Sequence, residues 1–308
     1  MDRRSLDKHA IEHHYDLSNE FYELFLDPLM LYTCAYYRTP DGDLETAQRH
    51  KLDLVCRKLR LQPGERLLDI GCGWGSLAIW AVQHYGVSVH AVTLSKEQAR
   101  YGQVRAAREG LSDVCRIEHR DYRDVANEGP FDKISAIGII EHVGIENYPA
   151  YFTEVRELLA PGGLFLNHGI TRNRFWLPTP QFDFLREHVF PNGELDTIAH
   201  TNEVMEDCGF EIVDVENLRP HYMRTCFHWA ERLRANQEKA IALVGERKYR
   251  TWLLYLTSAS VGFEQASIGL HQTLALRRDP KAAVVPTTRE EIYHPAPRPE
   301  LARASGMR

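Results

Sequence analysis

The chain has 308 residues, 44% of them apolar and 26% charged, which is material for one large domain or two modest ones around a sizeable core. A formal charge of −6 leaves no overall basic footprint for nucleic acid, so an anionic partner such as a phospholipid surface needs a local basic patch. Six scattered cysteines include no C-x-x-C pair, and no apolar run approaches the ~20 residues of a membrane span, which argues for reduced thiols in a cytoplasmic protein, at most peripheral at the inner face of a membrane.

Taken in order, residues 1–60 read as a helical segment punctuated by turns at 27–28 and 39–43. Within it Leu44, Ala47, Leu52, Val55 and Leu59 fall roughly on one helical face. From residue 65 short β-rich runs alternate with amphipathic stretches. The strands are expected at ERLLDIG (65–71), SVHAVTL (88–94), CRIEHRD (115–121), KISAIGII (133–140) and LFLNHGI (164–170). This alternation predicts a parallel, doubly wound α/β sheet over a domain spanning 61–278. A loop-rich stretch with short helices follows at 171–206, then a strand at FEIVDVENL (210–218). A long helical insert at 221–262 is expected to cover the sheet's carboxyl edge, and SIGLHQTLALRR supplies the last strand. The polar, Pro-rich residues 279–308 read as a flexible tail.

LLDIGCGWGS (67–76) places an acid and then glycines between a strand and a helix. Gly71, Gly73 and Gly75 allow a tight turn and a close backbone approach, but the spacing is not the dinucleotide fingerprint. Asp69 would repel a pyrophosphate and accept from an ammonium, so S-adenosylmethionine suits the loop better than a dinucleotide. At the second strand's end, where many methyltransferases carry an acid, Thr93 and Gln98 offer neutral ribose contacts. Tyr122 is either a platform for adenine or a surface aromatic.

Glu141 and His168 are expected at the ends of adjacent strands, on the edge where ligands bind such sheets. They suggest a metal pair, but no third ligand has persuasive spacing, so no metal is expected. His142 reads as a loop or surface residue. Cys34 is a candidate nucleophile or an inert buried thiol, and the second reading is simpler.

The chain resembles the cyclopropane-fatty-acid synthase family, including the mycolic acid cyclopropane synthases. The likeness is carried by HYDLSNEFYELFLDPLMLYTCAYY (14–37), LDIGCGWG (68–75), VTLSKEQ (92–98), IEHVG (140–144), NHGI (167–170), PNGELD (191–196) and RPHYMRT (219–225). It spans about residues 9–276. The resemblance implies a class I methyltransferase, Rossmann-like fold: a seven-stranded doubly wound sheet, N-terminal helices covering the active site, and a helical lid inserted at about 171–206 and 221–262. It implies that Tyr32 and Thr33 contact the methionine part of S-adenosylmethionine. Thr33 stands where the family often has Ser. Gly71 and Gly73 match the glycine loop, Thr93, Leu94 and Gln98 match the ribose and adenosine contacts, and Tyr122 takes a place that is often Trp. Cys34, Ile137, Glu141, His168, Ile170 and Tyr222 match the surroundings of a bound bicarbonate, which the family uses as catalytic base, and Tyr15 lies in the matching HYDLS stretch.

The implied reaction transfers a methylene group to the cis double bond of an unsaturated acyl chain, on a phospholipid or a carrier, and closes a cyclopropane ring. The motifs also fit a C-methyltransferase of the same family giving methyl, methylene or hydroxyl-branched lipids or a secondary metabolite. A protein that binds the cofactor without catalysis is the reading from another class, and Glu141, His168 and Tyr222 together argue against it. Arg172, Arg174 and Trp176, or Arg219 and Arg224, are candidate headgroup contacts. Substrate headgroup, double-bond position and oligomeric state, a homodimer included, stay open.

Overall fold

The computed structural model describes residues 17–176, 180–189, 193–279 and 288–294. Tyr15 lies outside the described residues. Among the described residues of the N-terminal segment there are two helices, α1 (Asn19–Glu23) and α2 (Leu44–Lys58); the residues between them are an extended, turn-rich strap, where the sequence suggested helix. The α2 helix starts where Asp43 caps it, its carboxylate accepting from Thr46 N at 2.8 Å, and it buries Leu52, Leu54 and Val55 completely.

A seven-stranded sheet forms the centre. In chain order its strands are β1 (Arg66–Ile70), β2 (Ser88–Thr93), β3 (Cys115–His119), β4 (Phe131–Ile137), β5 (Leu159–Arg172), β6 (Phe210–Asn217) and β7 (Ile268–Arg277), arranged β3-β2-β1-β4-β5-β7-β6. The first five pair in parallel, whereas β7 runs antiparallel to both β5 and β6. The sheet is therefore mixed rather than wholly parallel. Interior strand β1 is apolar on both faces except at its ends, the pattern required of a strand covered by helices on each side.

One face is covered by α2, α3 (Ser76–Tyr85) and α4 (Lys96–Arg108), the other by α6 (Tyr148–Leu158) and α8 (Ile198–Asp207), with the one-turn helix α5 (Ile140–Val143) and α7 (Pro180–His188) between them in the chain. Helix α8 is one of the short helices expected within 171–206, and Val204 and Met205 bury it against α6 and β6 rather than over the sheet's carboxyl edge.

The long insert is two helices, α9 (Arg219–Ala235) and α10 (Gln237–Glu264), packed on each other; α10 is interrupted at Gly245, whose φ of 79° and ψ of 159° are not helical. Together with α1 and the strap they bury a third cluster rich in rings, including Phe21, Tyr22, Phe25, Trp229 and Trp252. Ring pairs such as Tyr32–Trp229 at 5.2 Å and Tyr22–Trp252 at 5.5 Å give it directional packing as well as area. Part of the expected flexible tail is ordered: α11 (Glu290–Tyr293) is tied down by Arg57 donating to Ile292 O and Arg289 bonding Asp214 at 2.6 Å. Among the described residues no helix is long and apolar enough to cross a membrane.

Candidate active site

The carboxyl ends of β1, β2 and β4 open into a cavity of about 520 Å³, whose far wall is supplied by the strap, α9 and α10. That volume is in the range of about 300–1,000 Å³ usual for small-molecule sites.

Asp69 lies near the end of β1 and faces the cavity, 3% exposed. Its register partner on β4, Ser135, donates its hydroxyl to Asp69 Oδ1 at 2.7 Å. Burial pushes the Asp69 carboxyl up to about 6, against the opposing pull of Ser135 and of the Lys51 charge. Beyond it the glycine loop turns back, with the N–H groups of Gly71 and Cys72 donating to Val92 O at 2.8 and 3.0 Å. Gly71 has φ 72°, and a Cβ there would overlap Ile139 Cδ1, so only glycine fits the turn. Gly73, at φ 53°, continues the cavity wall.

At β2's end Thr93, Leu94 and Gln98 all line the cavity. The Thr93 hydroxyl donates to Gln98 Oε1 at 3.1 Å and accepts from Ser95 N at 3.2 Å, which makes a fixed neutral pair where an acid is common. Tyr122 is not a surface aromatic: it lines the cavity, edge-on to Tyr151 at 5.7 Å. On the strap, Tyr32 and Thr33 line the wall near the loop. The Tyr32 hydroxyl bonds that of Tyr255 at 3.0 Å, and Thr33 Oγ1 accepts from Lys51 Nζ at 2.7 Å.

Glu141 is not at the end of a strand. Strand β4 stops at Ile137, Gly138 takes φ 71°, and Glu141 follows on α5. Its side chain lines the cavity, 8% exposed. Oε1 accepts from Ile170 N at 2.6 Å, while Oε2 is buried with no hydrogen-bond partner among the described residues. Burial pushes this carboxyl up to about 7, moderated by the Ile170 N–H. Ile137, Ile170 and Tyr222 line the same cavity, and the Tyr222 ring sits 4.7 Å from that of Phe263.

Two expected members do not line it. His168 stands inside β5, in register with Ile137 and with Gln272 of β7, and is 1% exposed. Gln272 Nε2 lies 3.0 Å from its Nδ1, and its Nε2 has no partner among the described residues. Burial, then the charges of Lys51 and Lys58, hold the imidazole well below its ordinary pKa, so it is a neutral group beneath the floor. Cys34 is fully buried; its Sγ donates to Ala35 O at 3.2 Å, and burial pushes the thiol far up, which disqualifies it as a nucleophile.

Lys51, His142 and Tyr255 are cavity residues that the sequence reading missed. His142 had been assigned to a loop or the surface, whereas it lies on α5 and burial pushes its imidazole down to about 4. Lys51 had a visible signal: it stands one helical turn from Ala47 and from Val55, within the buried stripe.

Among the described residues one His/carboxylate group is close enough to hold a metal, His90, Glu118 and Glu128, on β2, β3 and the turn before β4. It is outside the cavity, and Arg116 and Arg120 already pair with both carboxylates. The candidate headgroup contacts are partly committed elsewhere. Arg219 donates to Phe263 O and Glu264 O, Arg224 donates to Thr39 O and stacks 4.1 Å over Tyr37, and Arg172 Nε donates to Leu195 O. Arg174 is exposed, beside a Phe175 that is 87% exposed.

The sequence model of the mycolic acid cyclopropane synthetase family matches residues 2–273. A "Probable fatty acid methyltransferase" of Pseudomonas putida is 44% identical over 95% of the chain and 76% of its own length. A second protein with that description, from Mycobacterium tuberculosis, is 44% identical over 90% of the chain, which spans only 65% of that relative. The crystal structure of mycolic acid cyclopropane synthase CmaA1, complexed with SAH and CTAB, superposes with a TM-score of 0.80 at 36% identity, covering 87% of this chain and 98% of that one.

Proposed function

The chain belongs to the mycolic acid cyclopropane synthetase family, and from that premise we propose that it uses S-adenosylmethionine to add a methylene group across the cis double bond of an unsaturated phospholipid acyl chain. The observation that carries the reading is the single cavity that holds Asp69 and the glycine loop together with the unpartnered oxygen of Glu141.

The residues fit the two groups that the reaction requires. Asp69 is a buried acceptor for an ammonium beside a loop too tight for side chains, and a related structure carries SAH. Glu141 Oε2 suits a small donor such as the O–H of a bicarbonate. When bound, S-adenosylmethionine supplies an electrophilic methyl carbon. Bicarbonate supplies a base that resists alkylation.

The chain's own contribution is alignment, charge and dryness. Asp69 fixes the ammonium end of the cofactor, and the Thr93–Gln98 pair and Tyr122 hold its nucleoside. Glu141, pinned through Oε1 by the Ile170 N–H, keeps Oε2 aimed at whatever donor lies in the cavity. The phenol ring of Tyr222 and that of Tyr32 offer negative faces to cationic character on the alkylated chain. The ring-rich wall excludes water, which would otherwise trap such a cation.

The relatives described as fatty acid methyltransferases favour a second reading, in which the alkylated cation loses its proton elsewhere in place of ring closure, giving a methyl-branched alkene or a methylene-branched chain. Incubation with S-adenosylmethionine and vesicles of unsaturated phospholipid, followed by acyl-chain mass spectrometry and NMR, decides. A gain of one methylene unit with cyclopropane protons supports the ring. The same gain with vinyl protons supports the second reading, and no gain on any unsaturated lipid overturns both.

A further inference from the structure

Lys51 lines the same cavity, and the reaction described above gives it no task. It is 1% exposed on α2, so its ammonium has left water, which is unfavourable unless polar or charged partners compensate. Among the described residues its one hydrogen bond runs from Nζ to Thr33 Oγ1 at 2.7 Å. Among the described residues no carboxylate comes within ion-pair distance: Asp27 and Asp69 act on it through space, and the Asp27 carboxylate is engaged by Leu29 N and Leu31 N at 2.9 and 3.0 Å. An ammonium carries three N–H donors and no acceptor. Two of those donors therefore remain at the cavity wall.

The same asymmetry fixes the neighbouring hydroxyl. Thr33 Oγ1 must accept from Lys51, so its own proton is free to be donated elsewhere, and Thr33 lines the cavity. Gln48 holds the same residue from behind, donating to Thr33 O at 2.9 Å. Asp69 has the opposite character, a carboxylate with one oxygen engaged by Ser135. A donor with a cation behind it and an anionic acceptor thus line one cavity.

We propose that Lys51 is a positioning residue that makes this site selective for a zwitterionic α-amino acid end: it sets Thr33 as a donor and supplies the positive field for an α-carboxylate, while Asp69 takes the ammonium. This rests on the cofactor reading above. Burial lowers the Lys51 pKa to about 8, with Asp27, Asp69 and the thiols of Cys34 and Cys56 facing it, so the group is still cationic at neutral pH. Selectivity for the carboxylate then fades as pH rises through about 8.

The test is calorimetric binding of S-adenosylhomocysteine and of its decarboxylated analogue to the full chain. Wild type should prefer the carboxylate form by about ten- to a hundredfold, the factor expected of charge-assisted hydrogen bonds. Lys51→Met should weaken S-adenosylhomocysteine until the two ligands bind alike, leaving the analogue's affinity unchanged. Thr33→Val keeps the ammonium and should also reduce the preference, whereas Thr33→Ser should retain it. Lys51→Arg should retain the preference to higher pH than wild type. An equal loss of both ligands in Lys51→Met, or an intact preference in that variant, overturns the proposal. Should Lys51→Met not fold, Lys51→Arg decides, and a preference that fades at the same pH as in wild type overturns it. If wild type binds neither ligand, it is the cofactor reading that fails.

Discussion

The cavity has two walls built on different physics. The floor, at the carboxyl edge of the sheet, relies on a few buried polar atoms held by single hydrogen bonds, Asp69 by Ser135 and Glu141 by the Ile170 amide, and Thr33, on the strap, is a polar group of the same kind that accepts from Lys51. The roof, from the strap, α9 and α10, relies on area, with Phe25, Tyr32, Trp229 and Trp252 in mutual ring contact. Loss of one floor atom should alter chemistry or ligand choice and leave the fold nearly intact. Loss of one roof ring should alter stability first.

The largest expected effect is on the roof. Trp229 is fully buried, packed between Tyr32 at 5.2 Å and Tyr222 at 6.0 Å. Trp229→Ala should cost about 3–5 kcal/mol of unfolding free energy, the range for deleting a large buried ring. Chemical denaturation measures it, and a loss below about 1 kcal/mol would mean that the roof is not a packed unit.

On the floor, Glu141→Gln should reduce turnover by about 10²–10³-fold, as for removal of one preorganised polar contact, with S-adenosylhomocysteine affinity unchanged. Equal losses in turnover and in binding would place Glu141 in the cofactor site instead. The acid limb of the pH profile tests the same group. The Glu141 pKa is raised to about 7, so below that pH the carboxyl loses its charge and its free oxygen becomes a weaker acceptor or a donor. Turnover should therefore fall as pH drops below about 7, and in Glu141→Gln the acid limb should move down to the range in which Asp69, raised to about 6, takes its proton.

The two walls also differed in how legible they were. Asp69 and the glycine loop were readable because strand, acid and turn are contiguous, and positive φ at Gly71 has a local signature. The strand positions were readable from apolar runs, but the antiparallel course of β7 was not, since strand polarity has no local code. KISAIGII looked like an unbroken strand, yet Gly138 ends β4 and sends Glu141 onto a helical turn. His168 looked like an edge residue because the run containing it is shorter than β5 proves to be. The place of Lys51 in the buried stripe of α2 is legible, but its partner is not, since Thr33 is brought to it only by the fold of the strap. The roof rings were visible as aromatics, but nothing local says which of them meet.

The smallest expected effect sharpens the comparison at its one ambiguous point. The Tyr32–Tyr255 hydroxyl pair, at 3.0 Å, is a polar contact inside the roof. If the roof acts by area, Tyr255→Phe preserves the ring and removes only the hydroxyl–hydroxyl contact, at a stability cost of about 1 kcal/mol. Turnover should then stay within about threefold of wild type, since a uniform loss of packing does not select the transition state. Denaturation and steady-state kinetics on the same preparation separate the outcomes. A turnover loss comparable with that of Glu141→Gln would mean that the phenol pair is read by the ligand, and the floor's logic would then extend across the cavity to its aromatic wall.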